Sequence, residues 1–414
     1  MLDRQPNDVL FSVISFLGGP DFALVSGTCR TLYKAVGEAA VALFLALFGK
    51  RQPRIMTRLV IFRMIEKARV CSSADARDLA LWSATHNYPH TIAQLGNTRT
   101  FADIMSARRA SDGATPLYLA CERGHTDIVR MLVRSLDGEA IALRTTLINR
   151  GTKDGCSPLH AAAKRGNAAI AAILLSSPVC DIDSGNSTGE TPLFLAAINA
   201  RVRVVELLLN HDGADVDKAT HVRGDSGGLN SLTASCGRGH FELVRRLLSF
   251  GANVHVRTAL GNTPVITAAE AGFADIVQLL IDHGADIEAQ TNSGKTAVYA
   301  AAENGHVDAV SVLMDANCCV STPTYRNKTP LYAAAEQGFV GIVKLLLRRT
   351  TKQDLFTETT YGTTPLFIAS KQRNHTVKSL LVDFCLQCDS KSKKVKQRPQ
   401  PPGRPLTPRF REDM

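Results

Sequence analysis

The sequence predicts an all-α solenoid, in which paired helices repeat along the chain and stack on their neighbours. The first observation is a short phrase, T-P-L-[HYF]-x-A, whose clear copies start at Thr115, Ser157, Thr191, Thr329 and Thr364. Weaker copies start at Asn230, Thr263 and Thr296. The starts lie 33 to 42 residues apart, and apolar residues at helical spacing follow most of them. A unit of this size cannot bury its apolar face alone, so neighbouring units must share one continuous core.

The copy that starts at Thr263 shows how the helices of one repeat begin and end. We expect the Thr263 hydroxyl to cap the first helix and Pro264 to occupy its first turn, where the missing N–H costs nothing. Gly272 ends that helix because glycine adopts the left-handed conformation cheaply. The second helix carries an apolar face made of Ile276, Val277, Leu279, Leu280 and Ile281. Each repeat is therefore predicted to contribute two short helices and a turn.

The phrase and its period resemble the ankyrin repeat, whose unit is a β-turn followed by two helices. The resemblance covers residues 79–388 and implies a solenoid of about eight to nine helix-turn-helix repeats with β-hairpin tips. Residues 79–93 are interpreted as a degenerate opening repeat, since terminal repeats cap the stack and are atypical. The resemblance also implies the class of function. Such a stack presents a surface to a protein partner and needs no cofactor, no metal and no catalytic residue.

Residues 1–45 follow a different pattern, which resembles the F-box, a small helical motif. The chain matches the family phrase at Pro6, Asp8, Val9, Leu10, Val13, Ile14, Leu17, Asp21, Leu24, Cys29 and Arg30. Gln5 and Phe22 stand where the family has leucine. The resemblance implies that a Skp-type adaptor of cullin–RING ubiquitin ligases docks on Pro6, Val9, Leu10, Val13, Ile14 and Leu17. The alternative is that these helices only cap the first repeat.

The remaining segments are a helical linker at residues 46–78 and a basic, proline-rich tail at residues 389–414, which we expect to be disordered. Of the net charge of +10, residues 390–414 carry +6, from eight Lys and Arg against two acids. The rest of the chain therefore lacks the excess of positive charge that a nucleic-acid-binding fold carries. A short basic run at residues 391–398 resembles a nuclear-import address, although a solubilising tail is the simpler interpretation.

The expected location follows from what the sequence lacks. No apolar run is long enough to span a membrane, and the amino terminus does not resemble a secretion signal. Ten cysteines are scattered without the spacing of a disulfide framework, which is typical of reduced intracellular proteins. We therefore expect a protein of the cytoplasm or nucleus that is a monomer outside its complex.

Some patterns imitate chemical sites. The segment Gly224-Asp225-Ser226-Gly227-Gly228 matches the phrase around the nucleophile of trypsin-like proteases, but that chemistry needs a histidine and a buried aspartate from a different scaffold. A glycine-rich turn between two repeats is the favoured interpretation. The cysteine pairs Cys385 and Cys388, and Cys318 and Cys319, lack the further ligands that structural zinc needs. Four histidines are interpreted as structural hydrogen-bonding groups: His125, His160, His240 and His306.

The resemblance places the partner surface at the hairpin tips and at the exposed end of the first helix of each repeat. The charged candidates there are Glu122, Arg123, Lys164, Arg165, Arg238, Glu270, Glu303, Glu336 and Lys371. The cations dominate the front half, whereas the glutamates at 270, 303 and 336 recur behind them. We therefore predict a groove whose oppositely charged ends orient a charged partner, against the alternative of a solvated face. The longer intervals at residues 136–153 and 216–228 are expected to leave the stack as loops.

Overall fold

The computed structural model describes residues 73–96, 105–220 and 227–396. The chain divides into two compact units, Met1–Ala107 and Arg108–Met414. In the first unit, helix α1 (Ser73–His86) packs against helix α2 (Pro89–Gly96). Helix α1 therefore begins before residue 79, where the repeat region was predicted to start. The F-box-like segment and the linker up to residue 72 lie outside the described residues.

The second unit is a stack of helix pairs, as the sequence predicts. The first helix of each pair is called the inner helix and the second the outer helix. In chain order the helices are α3 (Pro116–Arg123), α4 (Thr126–Ser135), α5 (Ile141–Asn149), α6 (Pro158–Arg165), α7 (Ala168–Leu175), α8 (Pro192–Ile198), α9 (Val202–Leu209), α10 (Ser231–Arg238), α11 (Phe241–Ser249), α12 (Pro264–Ala271), α13 (Ala274–Asp282), α14 (Ala297–Asn304), α15 (Val307–Asp315), α16 (Pro330–Gln337), α17 (Val340–Leu346), α18 (Pro365–Lys371) and α19 (His375–Lys396). Helix α5 stands outside the pairing, and a short 3₁₀ turn, Gln353–Phe356, precedes the last pair.

The core of this unit runs between successive repeats. Each inner helix packs on the inner helix of the next repeat, and each outer helix packs on the next outer helix. Small residues such as Ala162 and Ala301 are fully buried on the inner helices, so that neighbouring backbones approach closely. Two of these small buried residues are the thiols Cys121 and Cys236, and burial raises the pKa of both. The thiols therefore act as small apolar groups in the core.

Side-chain caps start the inner helices. In most repeats an oxygen of the residue before the helix accepts a hydrogen bond from the backbone N–H three residues later. The capping residues are Thr115, Ser157, Thr191, Asn230, Thr296, Thr329 and Thr364. The prediction was wrong for Thr263, whose buried hydroxyl makes no cap bond and has no partner. The backbone at Thr263 is extended as at the other caps, so the difference lies in the orientation of its side chain.

Most inner helices end at a glycine, as the repeat motif predicts. The absence of a side chain there also leaves space for a side chain of the next repeat. Gly272 closes α12 with φ of 83°, in the left-handed region. A Cβ at this position would lie 2.4 Å from Nδ1 of His306 in the following repeat. Glycine therefore serves two purposes here, because it relieves the backbone and leaves room for the neighbouring side chain.

The tips of the repeats are tight turns, and successive tips are joined by backbone hydrogen bonds. The sequence predicted β-hairpins, but the described ranges contain no strand. Most of the described tips donate a backbone N–H to the carbonyl of the preceding tip, for example from Lys153 to Asp112 at 2.8 Å and from Asn292 to Leu260 at 2.9 Å. The tips are therefore held in a row, although none of them forms an extended ladder.

The first insertion is a helix, and the expectation of a loop was wrong. Helix α5 buries Leu147 and Ile148 almost completely, while Ile141 at its start is 76% exposed. Asn149 fixes the end of the helix to the next repeat, since its amide donates to the carbonyl of Val179 and its oxygen accepts from the N–H of Asp181. Residues 221–226 of the second insertion lie outside the described part of the chain.

The last helix extends beyond the predicted end of the stack. Helix α19 continues past residue 388 to Lys396, so the first part of the predicted disordered tail is helical. Residues 397–414 lie outside the described range. Within residues 73–96, 105–220 and 227–396, no helix combines the length and the apolar character that a membrane span requires.

Candidate protein-interaction surface

The exposed ends of the inner helices and the adjoining tips form a surface that we call the inner-helix face. The predicted charged residues of the stack all lie there, at or beside the carboxyl ends of α3, α6, α10, α12, α14, α16 and α18. Six of them are exposed, namely Arg123, Lys164, Arg165, Arg238, Glu270 and Lys371. Three are half-buried, namely Glu122, Glu303 and Glu336. The predicted adaptor-docking residues Pro6, Val9, Leu10, Val13, Ile14 and Leu17 lie outside the described residues.

Two of the three predicted acidic positions are paired with lysines of the same repeat. Lys328 Nζ lies 2.8 Å from Oε2 of Glu336 and 5.0 Å from the centre of the Tyr332 ring, which lies between them in sequence. Lys295 makes the equivalent ion pair with Glu303, across the ring of Tyr299. Each lysine therefore contacts both a carboxylate and the negative face of a ring.

These pairs change the predicted electrostatics of the inner-helix face. Asn262 stands where the later repeats have lysine, and among the described residues Glu270 has no ion-pair partner. The predicted row of three glutamates is therefore partly neutralised, because Glu303 and Glu336 are paired and Glu270 is not. The sequence did contain the signal, because a lysine precedes the capping threonine and a glutamate follows it seven residues later in both repeats.

The cations at the inner-helix ends of the first four repeats have no such partners among the described residues. Arg123, Arg165 and Arg238 are exposed and form no ion pair with any described residue. Arg201, in the repeat that follows α6 and α7, adds a further cation, and its Nε donates to the carbonyl of Lys164 at 3.2 Å. This contact places a further guanidinium beside Lys164 and Arg165 while it satisfies a carbonyl at the end of α6.

Apolar side chains lie between these cations. Phe194 and Leu195 of α8 pack with Ala234 of α10, and the half-buried Ile198 and Leu229 cover them. Ile198 occupies the helix-end position that is charged in most other repeats. At the same position α10 has Gly237, which presents no side chain. The middle of the inner-helix face is therefore apolar where the flanking repeats are charged, a feature that the pattern of charged residues did not predict.

The comparison with protein families agrees with this architecture. A family model described as ankyrin repeats (3 copies) matches residues 142–220, 231–324 and 315–393, and a single-repeat model matches residues 112–144. The chain belongs to the ankyrin repeat family. The stack is therefore a protein–protein interaction module built from ankyrin repeats. A comparison with curated proteins found no match to the chain.

Two of the four histidines that were interpreted as structural, His160 and His306, form hydrogen bonds to neighbouring turns, as predicted. His306 donates from Nε2 to the carbonyl of Glu270 at 3.0 Å. His160 accepts the Ser157 N–H at Nδ1, at 3.1 Å, and donates from Nε2 to the carbonyl of Glu190 in the next repeat, at 2.9 Å. A backbone N–H can only donate, so the Nδ1 of His160 must be unprotonated and the ring neutral.

The patterns that imitate chemistry behave in the ankyrin stack as structural elements. Gly228 has φ of 75° and lies in a turn before α10, whereas residues 224–226 are outside the described range. Cys385 and Cys388 lie on α19, and Cys318 is buried next to the exposed Cys319. In the described part of the chain, no cluster of His, Cys, Asp and Glu side chains has the geometry to hold a metal ion.

Proposed function

We propose that this protein is the substrate-receptor subunit of a Skp–cullin–F-box ubiquitin ligase and that its ankyrin stack binds the substrate. The F-box-like residues between Pro6 and Arg30 support the first part of the proposal. The membership of the ankyrin repeat family supports the second. In this role the chain itself catalyses nothing. It raises the effective concentration of the substrate close to the ligase, which is how a tethered binding module accelerates a second event.

The observation that carries the choice of binding surface is a difference between the two faces of the stack. On the outer helices, Arg130, Arg245 and Arg246 lie in ion pairs with acids of their own or a neighbouring helix, whereas Arg134 and Arg203 have no ion-pair partner among the described residues. On the inner-helix face, Arg165 and Arg238 lack such partners, and the half-buried apolar side chains of Ile198 and Leu229 lie between them. Unpaired charge beside apolar surface favours recognition of another protein.

A second candidate function is a non-catalytic ankyrin scaffold with no role in ubiquitin transfer. The comparison favours it in one respect, because the family matches begin at residue 112 and none covers residues 1–45. In that case the first helices would only cap the stack. The two candidates share the inner-helix face as the binding surface and differ in what residues 1–45 do.

The test is capture of a purified Skp-type adaptor by the full chain. The variant carries Pro6→Ala, Leu10→Ala and Ile14→Ala, and a matched control carries Asn7→Ala, Ser12→Ala and Ser15→Ala in the same segment. We expect wild type and control to capture the adaptor and the first variant to lose it, with equal circular dichroism for all three. Absence of capture by folded wild-type protein would contradict the ligase role and leave the scaffold.

A further inference from the structure

We propose that the inner-helix face of the first four ankyrin repeats binds an extended, acidic protein segment that carries apolar residues between its acids. The site consists of the ends of α3, α6, α8 and α10. The inference rests on the proposed function only in that it takes the ankyrin stack to bind a protein. It does not depend on the F-box-like segment.

The first argument is the excess of unpaired positive charge. At the ends of α3, α6 and α10 the exposed cations are Arg123, Lys164, Arg165 and Arg238, against the single carboxylate of Glu122. Arg201, which is also exposed, lies beside Lys164. Cations at the end of a helix interact favourably with its dipole, but that effect is modest at exposed positions and leaves the charges open to a partner.

The acids of the nearby tips do not cancel this charge. The Asp112 carboxylate is engaged by Arg109, which holds the pKa of Asp112 well below its usual range. Glu190 keeps its negative charge, because its hydrogen bond at 2.7 Å comes from the neutral amide of Asn186, but the cations at the helix ends outnumber Glu122 and Glu190. Asp154 is exposed at its tip, next to Lys153. The balance at the helix ends therefore remains positive.

The second argument is the contrast with the later repeats. The chain neutralises Glu303 and Glu336 with its own lysines, so that end of the inner-helix face offers little net charge to a partner. Among the described residues of the inner-helix face, a row of cations without ion-pair partners occurs in the first four repeats and not in the later ones. A partner that gains electrostatically from the ankyrin stack must therefore be acidic and must bind at this end.

A third observation is a group of apolar side chains within the row of cations, which we call the apolar interval. The half-buried Ile198 and Leu229, which pack on Leu195, lie between the cations of α6 and the cation of α10. Successive inner helices pack directly on one another, which places them about 8–10 Å apart. An extended peptide rises about 3.3 Å per residue, so every third residue meets the next repeat. An occupant that spans the four repeats thus places acids over α3 and α6, apolar residues over α8, and acids again over α10.

The apolar interval also favours protein over nucleic acid. A nucleic-acid strand presents phosphates at every step and needs stacking partners for its bases. Between the two groups of cations, the half-buried aliphatic side chains of Ile198 and Leu229 would face phosphates without any compensating contact. An acidic protein segment matches both kinds of surface.

The experiment measures fluorescence anisotropy of a labelled probe peptide, Asp-Asp-Glu-Leu-Ile-Asp-Glu-Asp-Asp-Glu, with the full chain. When this peptide runs from α10 to α3, every third residue places an acid over α10, a leucine over α8 and acids over α6 and α3. Its charge-reversed counterpart, Lys-Lys-Arg-Leu-Ile-Lys-Arg-Lys-Lys-Arg, and a mixed-sequence single-stranded oligonucleotide are measured in parallel. The test variant carries Lys164→Glu, Arg165→Glu and Arg238→Glu. The matched control carries Arg134→Glu, Arg203→Glu and Lys344→Glu, which make the same change of net charge at exposed positions of three outer helices.

We expect the acidic probe to bind wild type and the outer-helix control equally, and to bind the test variant at least about tenfold more weakly, the effect of a few exposed ion pairs. Raising the salt from about 0.1 M to about 1 M should weaken binding, since the Debye length falls to about 3 Å. Equal binding of the two peptides, equal loss in both variants, or tighter binding of the oligonucleotide would overturn the inference. Adaptor capture is measured in a separate experiment. Loss of adaptor capture would contradict the ligase role without affecting the peptide result, and failure of the peptide to bind would contradict this inference without affecting the adaptor result.

Discussion

The neutral ring of His160 is a clear case of one side chain that joins two repeats. The ring is buried between Ser157 of its own repeat and the carbonyl of Glu190 in the next. Burial lowers the pKa of His160 below its ordinary value, and the hydrogen bond to Glu190 offsets only part of that shift. The repeat motif predicted a structural role for this histidine. It could not predict the lowered pKa, because that depends on burial between two stacked repeats.

This arrangement predicts a pH dependence of the free energy of unfolding. Below the ordinary histidine pKa of about 6.5, the unfolded chain takes up a proton that folded His160 does not. The stability contributed by the neutral ring is therefore complete above that value and is lost as the pH falls towards the folded pKa. The slope is at most about 1.4 kcal/mol per pH unit.

Urea unfolding between about pH 7 and about pH 5.5 measures this slope. We expect a His160→Gln variant to show a flatter pH dependence than wild type. His255→Gln is the control, because solvent surrounds the exposed His255 side chain in both states. Equal slopes for wild type and His160→Gln would contradict the assignment of the buried neutral ring.

The capping hydroxyls give a second prediction at the scale of residues. Thr329→Val removes a hydroxyl that caps α16 and keeps the shape of the side chain, so we expect the free energy of unfolding to fall by about 1 kcal/mol. Thr263→Val removes a hydroxyl that has no partner, and we expect no loss of stability or a small gain. Equal losses in chemical denaturation would show that Thr263 caps its helix after all.

At the scale of elements, the period of the phrase predicted the helix pairs well, because it depends on local chemistry within each repeat. Capping residues such as Thr329 and terminating glycines such as Gly272 act over only a few residues. Helix α5 could not be predicted in the same way. Its sequence lacks a capping side chain, and its stability depends on Leu147 and Ile148 reaching the core and on Asn149 bonding to the next repeat.

The first insertion therefore behaves as a packed helix and should respond to substitution as one. We expect Leu147→Ala to lower the free energy of unfolding by about 2–5 kcal/mol, the usual cost of truncating a buried leucine. Ile141→Ala, at the exposed start of the same helix, should have little effect. Thermal or urea denaturation distinguishes the two variants, and tolerance of both substitutions would indicate a loop.

At the scale of the whole molecule, the sequence predicted the repeat architecture and the positions of the charged residues on the inner-helix face. It did not predict which charges remain available. The pairing of Lys328 with Glu336 depends on bringing a tip residue over the end of a helix, and the ring of Tyr332 fixes that geometry. The apolar interval at Leu229 also depends on the placement of a tip against the neighbouring helix. The first contact lies within one repeat, and the spacing of lysine and glutamate in the sequence would have indicated it. The second is a contact between repeats that a repeat pattern does not encode.

The central claim is that the ankyrin stack binds its partner on the inner-helix face, at the end formed by the first four repeats. Hydrogen–deuterium exchange along the full chain, with and without the acidic probe peptide, tests it most directly. We predict that the probe slows exchange at the ends of α3, α6, α8 and α10 and leaves the outer helices α11, α13 and α15 unchanged. Protection confined to the outer helices, or to the repeats that contain Glu303 and Glu336, would contradict the claim.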